Sequence, residues 1–151
     1  ATFLTDPGDL LLENRYAPND PAQRQRFVCW LRTGHGNVDL LRGIAQSCNV
    51  YFYQVGGGND DWSPQVLRPG GLGPTQLWRY AMSVGIASPL GIELPFPARG
   101  LIYDTEWKRR NIGENWSTGD TYNAAVGQGY IQTTPLHMAP AVPALAKAGS
   151  P

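Results

Sequence analysis

The sequence predicts one ordered domain, or a piece of one, with several helices and few strands. Its 151 residues suffice for one hydrophobic core, since a chain of this length buries roughly two-thirds of its unfolded surface. Five tryptophans and seven tyrosines argue against disorder, whereas thirteen prolines and eighteen glycines predict many loops. Apolar residues recur at helical spacing in three segments, and one short apolar run, Leu10 to Leu12, is typical of a strand between loops.

The first predicted helix begins near Val38, with Asn37 as its N-cap, and ends at the glycines from Gly56 to Gly58. Gly43 weakens its middle by up to about 1 kcal/mol relative to alanine, so two short helices that meet near Gln46 or Ser47 are also compatible with the pattern. One face of this segment has apolar residues every three or four positions and is expected to be buried: Leu41, Ile44 or Ala45, Cys48, Tyr51 or Phe52, and Val55.

Two further helices are expected. One covers residues 74–85, with Thr75 as N-cap and Gly85 as its stop. The other begins at Thr134-Pro135 and ends with Gly149 as C-cap; its interior Pro140 and Pro143 predict a kink or a later start, and its apolar face contains Leu136, Ala139, Val142 and Leu145. Residues 57–73 are predicted to form a flexible Gly/Pro-rich loop, and residues 91–115 to form loops with short extended pieces.

Charge and hydropathy exclude several classes of partner. Twelve basic and twelve acidic side chains cancel, so no net field favours nucleic acid or an anionic membrane surface. The longest nearly uninterrupted apolar stretch, residues 138–146, contains two prolines and is far shorter than the roughly 20 residues that span a bilayer. We therefore expect no membrane contact and no signal peptide in this segment, and any anchor is expected upstream.

The common catalytic and metal-binding patterns are absent from the sequence. It contains no G-x-S-x-G, no G-x-x-x-x-G-K-[ST] and no H-E-x-x-H. His35 is predicted to lie in a turn and His137 on a helix surface. Cys29 and Cys48 lack a C-x-x-C pairing or histidines at the usual ligand spacing, so no metal site is predicted, and they are either two buried thiols or one disulfide.

Four stretches occur in an order that is typical of one family. They are "HGNVDLLRGIAQSCNVYFYQVG" (35–56), "GIELP" (91–95), "EWKRR" (106–110) and "GDTYNAAVGQGYIQTTPLHMA" (119–139). Together they resemble the transpeptidase domain of bacterial penicillin-binding proteins, most closely the class B type. The resemblance extends from about Phe27 to Gly149.

The resemblance implies an α/β fold of the penicillin-binding-protein/β-lactamase type, in which a five-stranded sheet packs against helices. It also implies serine acyl transfer from the D-Ala-D-Ala end of a peptidoglycan stem peptide, inhibition by β-lactams, and no cofactor. Ser47 and Asn49 match the S-x-N motif of the family. Ser47 is accordingly expected to relay a proton to the leaving amine as a catalytic residue, and Asn49 to orient the substrate peptide group.

The S-x-x-K and K-[ST]-G motifs of the family have no match. Three residues before Lys108 and Lys147, the two lysines, stand threonine and alanine, and "KAG" (147–149) is predicted to be the end of a helix. Residues 1–151 are therefore expected to form a partial transpeptidase domain, mainly its helical part with few strands, that is inactive alone. Faces that the rest of the domain would cover are expected to be exposed and to favour association.

Family membership implies a location outside the cytoplasmic membrane, where disulfides persist. A Cys29–Cys48 bridge is predicted on that ground; it would close a loop with 18 intervening residues and stabilise the protein by about 3 kcal/mol. Two other functions remain open. The chain can be a non-catalytic binding or scaffold module of the same fold in cell-wall assembly, or a β-lactamase or β-lactam sensor, although residues 119–139 resemble the transpeptidases more closely.

Overall fold

The computed structural model describes residues 3–58, 71–86, 91, 93, 101–102 and 104–148, which form a mixed α/β arrangement. The strands in this part of the chain are β1 (Leu4–Asp6), β2 (Asp9–Leu12), β3 (Gln25–Val28), β4 (Gly36–Val38), β5 (Leu101–Ile102) and β6 (Ile131–Gln132). The helices are α1 (Leu40–Ala45), α2 (Asn49–Gly57), α3 (Gly73–Ser83), α4 (Thr105–Asn111), α5 (Thr118–Ala125) and α6 (Pro135–Ala148). Many helices with few, short strands agree with the sequence prediction.

The strands form three separate antiparallel pairs within the described residues. β1 pairs with β4, β2 with β3, and β5 with β6. Leu4 lies opposite Val38 and Leu10 opposite Phe27, so the first two pairs direct apolar side chains into one core. The strand predicted at Leu10 to Leu12 is confirmed and begins one residue earlier, at Asp9.

The segment predicted as one helix or two is two helices, because the backbone turns at Ser47. α1 ends at Ala45, Ser47 has φ of 50°, and α2 begins at Asn49. The predicted start was wrong: residues 36–38 form β4, and the Asp39 side chain caps α1 by accepting from the Arg42 N–H. The turn also shifts the helical phase, so Leu41 and Ile44 are exposed while Cys48 and Tyr51 are buried.

α2 packs most extensively on α5, and two glycines allow this close approach. A Cβ at Gly56 would lie 2.5 Å from the Ala125 Cβ, and one at Gly57 would lie 2.5 Å from the Tyr122 ring. The Tyr122 hydroxyl donates to the Gly58 carbonyl at 2.6 Å, which fixes the end of α2. Edge-on contacts of Phe27 with the Tyr53 and Tyr122 rings then join β3 to both helices.

Both predicted bounds of α3 need correction, and two helices were not predicted. α3 has Leu72 rather than Thr75 at its N-cap position, without a side-chain cap, and ends at Ser83 before Gly85. Sequence reasoning missed α4 and α5, which begin at side-chain caps. Asp104 accepts from the Trp107 N–H, while Ser117 and Asp120 form a reciprocal capping box.

α6 begins at Pro135 as predicted and continues through both interior prolines. The carbonyls of Leu136 and Ala139, which the prolines leave without a helical donor, belong to exposed residues, where water can bond them. The predicted apolar face is not the buried one: Leu136 and Val142 are exposed, whereas His137 and Ala141 are buried. His137 is therefore not a surface residue. The predicted cap Gly149 and residues 59–70 of the predicted loop lie outside the described residues.

A buried ion pair joins α4 to α5. Lys108, only 4% exposed, contacts the Asp120 carboxylate at 2.7 Å and Glu114 at 3.3 Å. Burial alone would raise the pKa of the Asp120 carboxyl, but hydrogen bonds from Lys108 and Ser117 outweigh it and lower that pKa. Among the described residues, no helix has the length and apolarity needed to cross a membrane.

Replacing Lys108 by methionine is expected to lower the free energy of unfolding by about 3–5 kcal/mol, because Asp120 would remain charged without its partner. The matched control is Arg110→Met, which breaks the exposed Arg110–Glu106 pair on the same helix and should cost at most about 0.5 kcal/mol. Denaturant unfolding of the two variants measures the difference. Equal losses would show that the Lys108 pair does not hold α4 on α5.

Candidate functional site

The turn between α1 and α2 presents the S-x-N triplet. Ser47 is exposed, Cys48 is fully buried and Asn49 is half-buried, so the triplet divides into two accessible polar groups and one core residue. The N–H groups of Ser47 and Cys48 donate to the carbonyls of Ile44 and Gly43, at 3.2 and 3.0 Å. Within the described chain Ser47 is the only residue other than glycine with positive φ, a strained conformation that typically costs about 1–3 kcal/mol and is concentrated at functional sites.

The end of β3 and the residues after it hold this turn in place. The Trp30 indole N–H donates to the Gln46 carbonyl at 2.9 Å. The Asn49 side chain donates to the Val28 carbonyl at 3.4 Å, and the Tyr53 hydroxyl approaches the same carbonyl at 3.5 Å. Hydrogen bonds therefore hold both ends of the turn, Gln46 and Asn49, to the end of β3 and the residues that follow it.

Four potential metal ligands converge behind the turn: Asp6, Cys29, His35 and Cys48. Their ligand atoms all lie within 4.8 Å of one another. The Asp6 Oδ2 lies 2.6 Å from His35 Nδ1 and 3.1 Å from Cys48 Sγ, and Cys29 Sγ lies 3.5 Å from His35 Nδ1. The two cysteines are completely buried, Asp6 is 1% exposed and the His35 side chain is 3% exposed.

Backbone contacts bring these four residues together. Asp6 ends β1, and its carboxylate accepts from the N–H groups of Gly8 at 2.7 Å and His35 at 3.1 Å. The Cys29 N–H in turn donates to the Gly8 carbonyl at 2.8 Å. A Cβ at Gly34 would lie 2.2 Å from the Asp6 carbonyl oxygen, so only glycine allows the His35 turn to approach β1 this closely.

The cluster shifts the pKa values of its acidic groups in opposite directions. Burial alone would raise the pKa of the Asp6 carboxyl, but hydrogen bonds from His35, Gly8 and Cys48 outweigh it and lower that pKa. Burial raises the pKa of the Cys48 thiol well above its ordinary value, and the Asp6 carboxylate adds to the increase. Cys48 is therefore a neutral thiol that donates to ionised Asp6.

The donor set of two sulfurs, one imidazole nitrogen and one carboxylate oxygen fits Zn²⁺. Zinc binds all three of these ligand types. Structural zinc sites have four ligands in total, all of them from the protein. Mg²⁺ and Ca²⁺ prefer oxygen ligands only. No metal site was expected from the sequence because no ligand pattern is visible there, but the fold brings together four residues that can hold a metal ion.

Sequence reasoning missed Asp6 and His35 because their relation is three-dimensional. Cys29, His35 and Cys48 are six and thirteen residues apart, which matches no common zinc pattern, and Asp6 lies on another strand. The available signals were weak: a histidine between two glycines, and an aspartate directly before Pro-Gly. The predicted Cys29–Cys48 disulfide is absent from the structure, in which both residues are free thiols.

The model of the penicillin binding protein transpeptidase domain matches residues 12–150, and the chain belongs to this family. Both the resemblance and the fold class predicted from the sequence are thereby confirmed.

Relatives include two proteins named peptidoglycan D,D-transpeptidase MrdA. The one from Acinetobacter baumannii is 31% identical over 150 residues, covering 99% of this chain and 19% of that protein. The one from Haemophilus influenzae is 32% identical over 148 residues, covering 98% and 20%. The chain thus spans about a fifth of the length of these relatives.

The solved structures that are similar to this chain include two of PBP2. Pseudomonas aeruginosa PBP2 in complex with WCK 5153 superposes with a TM-score of 0.74 at 28% identity, over 99% of this chain and 28% of that one. Helicobacter pylori PBP2 in complex with MreC gives a TM-score of 0.71 at 28% identity, over 90% and 21%.

Replacing Ser47 by glycine is expected to raise the free energy of unfolding by up to about 1 kcal/mol, because glycine adopts positive φ without steric cost. Ser47→Ala removes the same hydroxyl but keeps the strain, so it is the matched control and should not stabilise the protein. Thermal unfolding of both variants measures the difference. If glycine gives no gain over alanine, the turn is not strained.

Proposed function

We propose that this chain supplies the S-x-N part of the active site of a peptidoglycan D,D-transpeptidase, which cross-links stem peptides by serine acyl transfer. The observation that carries the proposal is the exposed, strained Ser47 turn with Asn49 beside it, in a chain that belongs to the transpeptidase family. The substrate class is a peptide that ends in D-Ala-D-Ala. β-Lactams are the corresponding acylating inhibitors.

The Ser47 hydroxyl acts as a proton relay. A hydroxyl donates and accepts hydrogen bonds at once, so it can accept a proton from a protonated lysine partner while it donates its own to the leaving amine. Ser47 is exposed although its neighbour Cys48 is buried, so its hydroxyl is accessible from solvent.

Asn49 orients the substrate. An amide side chain carries two N–H donors and a carbonyl acceptor, which match the two polar groups of a peptide bond. The bond from Asn49 to the Val28 carbonyl uses one N–H and fixes the plane of the amide. The second N–H and the carbonyl oxygen of the Asn49 side chain then have fixed directions, in which they can hydrogen-bond to a substrate peptide group.

The nucleophile and its lysine must come from an S-x-x-K motif outside these 151 residues. Lys108 is unsuited to the role because it is buried in an ion pair with Asp120. The proposed location is outside the cytoplasmic membrane, where the peptidoglycan substrate is found, with an anchor upstream. The alternative is a non-catalytic scaffold module in cell-wall assembly, which the absence of S-x-x-K and K-[ST]-G from these 151 residues favours. Helicobacter pylori PBP2, to which the chain is similar, forms a complex with MreC.

Ser47→Ala in the full protein is expected to slow acylation by a β-lactam by about 10²–10⁴-fold, the usual contribution of a positioned proton-transfer group. Ser83→Ala removes an exposed serine hydroxyl at the end of α3 and is the matched control, which should acylate at the wild-type rate. Mass spectrometry measures the rate of adduct formation for the wild type and for both variants. Unchanged acylation of Ser47→Ala, or an adduct on residues 1–151 alone, would contradict the assignment.

We also propose that Asp6, Cys29, His35 and Cys48 bind a structural Zn²⁺ that holds the S-x-N turn. The ion would supply the positive charge that this buried carboxylate and two thiols lack, and it would bind the cysteines as thiolates. Because Cys48 stands between Ser47 and Asn49, fixing its sulfur fixes both neighbours. The observation that favours this function is the convergence of four buried ligands from separate segments.

His35→Gln is expected to weaken zinc binding by the full protein by more than the 10–100-fold that loss of an outer-shell partner costs, since it removes a direct ligand. His137→Gln, at the other buried histidine, is the matched control and should bind zinc as the wild type does. Competition with a metallochromic chelator measures both affinities. Equal affinity of the wild type and His35→Gln would exclude the proposed site.

A further inference from the structure

We propose that Cys29 and Cys48 form a thiol–disulfide switch, in which the two sulfurs either ligate one zinc ion or join each other. The inference rests on the zinc-binding function proposed above. It adds that the metal site is reversible, and that its occupancy depends on the redox state of these two residues.

The placement of the two sulfurs carries the proposal. Both residues are free thiols and fully buried, and their sulfurs lie within 4.8 Å of each other. Cys29 follows β3, and Cys48 precedes α2, so 18 residues separate them in sequence. The two sulfurs belong to one cluster, and a disulfide forms by side-chain rotation alone where the Cα atoms lie within about 7 Å of each other.

The zinc-bound form and the disulfide exclude each other, because the same thiolate electron pairs of Cys29 and Cys48 either bind zinc or are lost when the S–S bond forms. Oxidation leaves Asp6 and His35 as the only remaining ligands of the cluster, and two ligands do not hold a structural zinc ion. Conversely, zinc holds each sulfur as a coordinated thiolate and keeps the two from bonding. The metal thus protects the thiols, and the disulfide prevents metal binding.

The oxidant must be small, since the sulfurs are buried; hydrogen peroxide is of the required class. In the metal-bound form, the two thiolates give two electrons to the peroxide O–O bond, the S–S bond forms, and Zn²⁺ leaves. Two protons from solvent complete two water molecules. In the metal-free form, the two S–H bonds break and supply those protons. Burial makes oxidation of that form slow, because neither sulfur is in contact with solvent.

The switch acts on the S-x-N turn. Cys48 caps α2 by accepting from the Tyr51 N–H at 3.4 Å, and the residue preceding Cys29 provides the carbonyl that holds Asn49. A covalent link between Cys29 and Cys48 would therefore connect the two segments that fix the turn. Release of zinc would at the same time leave Asp6 and His35 without the ion that they bind together.

The test compares the zinc-loaded full protein with two variants that separate the two states. Cys29→Asp keeps a zinc-binding carboxylate but cannot form the disulfide, whereas His35→Gln keeps both sulfurs but lacks a ligand. Each protein is treated with hydrogen peroxide. Released Zn²⁺ is measured with a metallochromic indicator, and the Cys29–Cys48 link by non-reducing peptide mapping.

The wild type is expected to release one equivalent of zinc as the link forms, and to rebind zinc after reduction with dithiothreitol. Cys29→Asp should retain its zinc under peroxide, and His35→Gln should form the link without releasing zinc. Wild type that binds zinc but keeps it under peroxide, or that releases it no faster than Cys29→Asp, would overturn the switch and leave the metal site intact. Wild type that binds no zinc would overturn both proposals, even if the link still forms.

Discussion

The buried carboxylate of Asp6 is the interaction on which the first half of the structure depends. It accepts hydrogen bonds from the Gly8 and His35 backbones, from the His35 ring and from the Cys48 thiol. These donors lie on the β1–β2 turn, the loop before β4 and the start of α2, so one ionised group joins three segments that are distant in sequence. A buried charge is costly unless it is fully hydrogen-bonded, and here the bonds suffice to keep the pKa of this carboxyl below its ordinary value.

Cys48 transmits this order to the exposed turn. Its sulfur donates to Asp6 and accepts from the Tyr51 N–H, and its backbone stands between the strained Ser47 and the half-buried Asn49. Beyond it, α2 packs through Gly56 and Gly57 against α5, whose N-terminus is fixed by its capping box and Lys108. The position of the two S-x-N side chains therefore depends on contacts in the core more than on contacts at the surface.

Local patterns were sufficient to predict what local physics decides. The break near Ser47, the strand at Leu10 to Leu12 and the start of α6 at Pro135 follow from glycine, proline and apolar spacing, whereas the S-x-N assignment came from the family resemblance alone. Periodicity could not predict which face of a helix is buried, so Leu41 and Val142 were assigned to the wrong environment. The helices α4 and α5 were missed because their signals are side-chain caps, in sequence segments that also contain glycines and tryptophans. The ligand cluster was missed because the pairing of β1 with β4 brings Asp6 to His35, and no spacing in the sequence encodes that pairing.

The exposed apolar residues of α1 and α6 are consistent with a chain that works as part of a larger domain. Leu41 is 76% exposed and Leu145 is 62% exposed, although both lie on helices whose opposite faces reach buried residues. Large apolar side chains grouped on one helix face usually mark a contact surface. The relatives are about five times as long as this chain, and the S-x-x-K motif of the family is absent from its sequence. Both observations have one physical explanation if the remaining part of a transpeptidase covers these faces and brings its serine and lysine to Ser47, so that the same contacts complete the core and the active site.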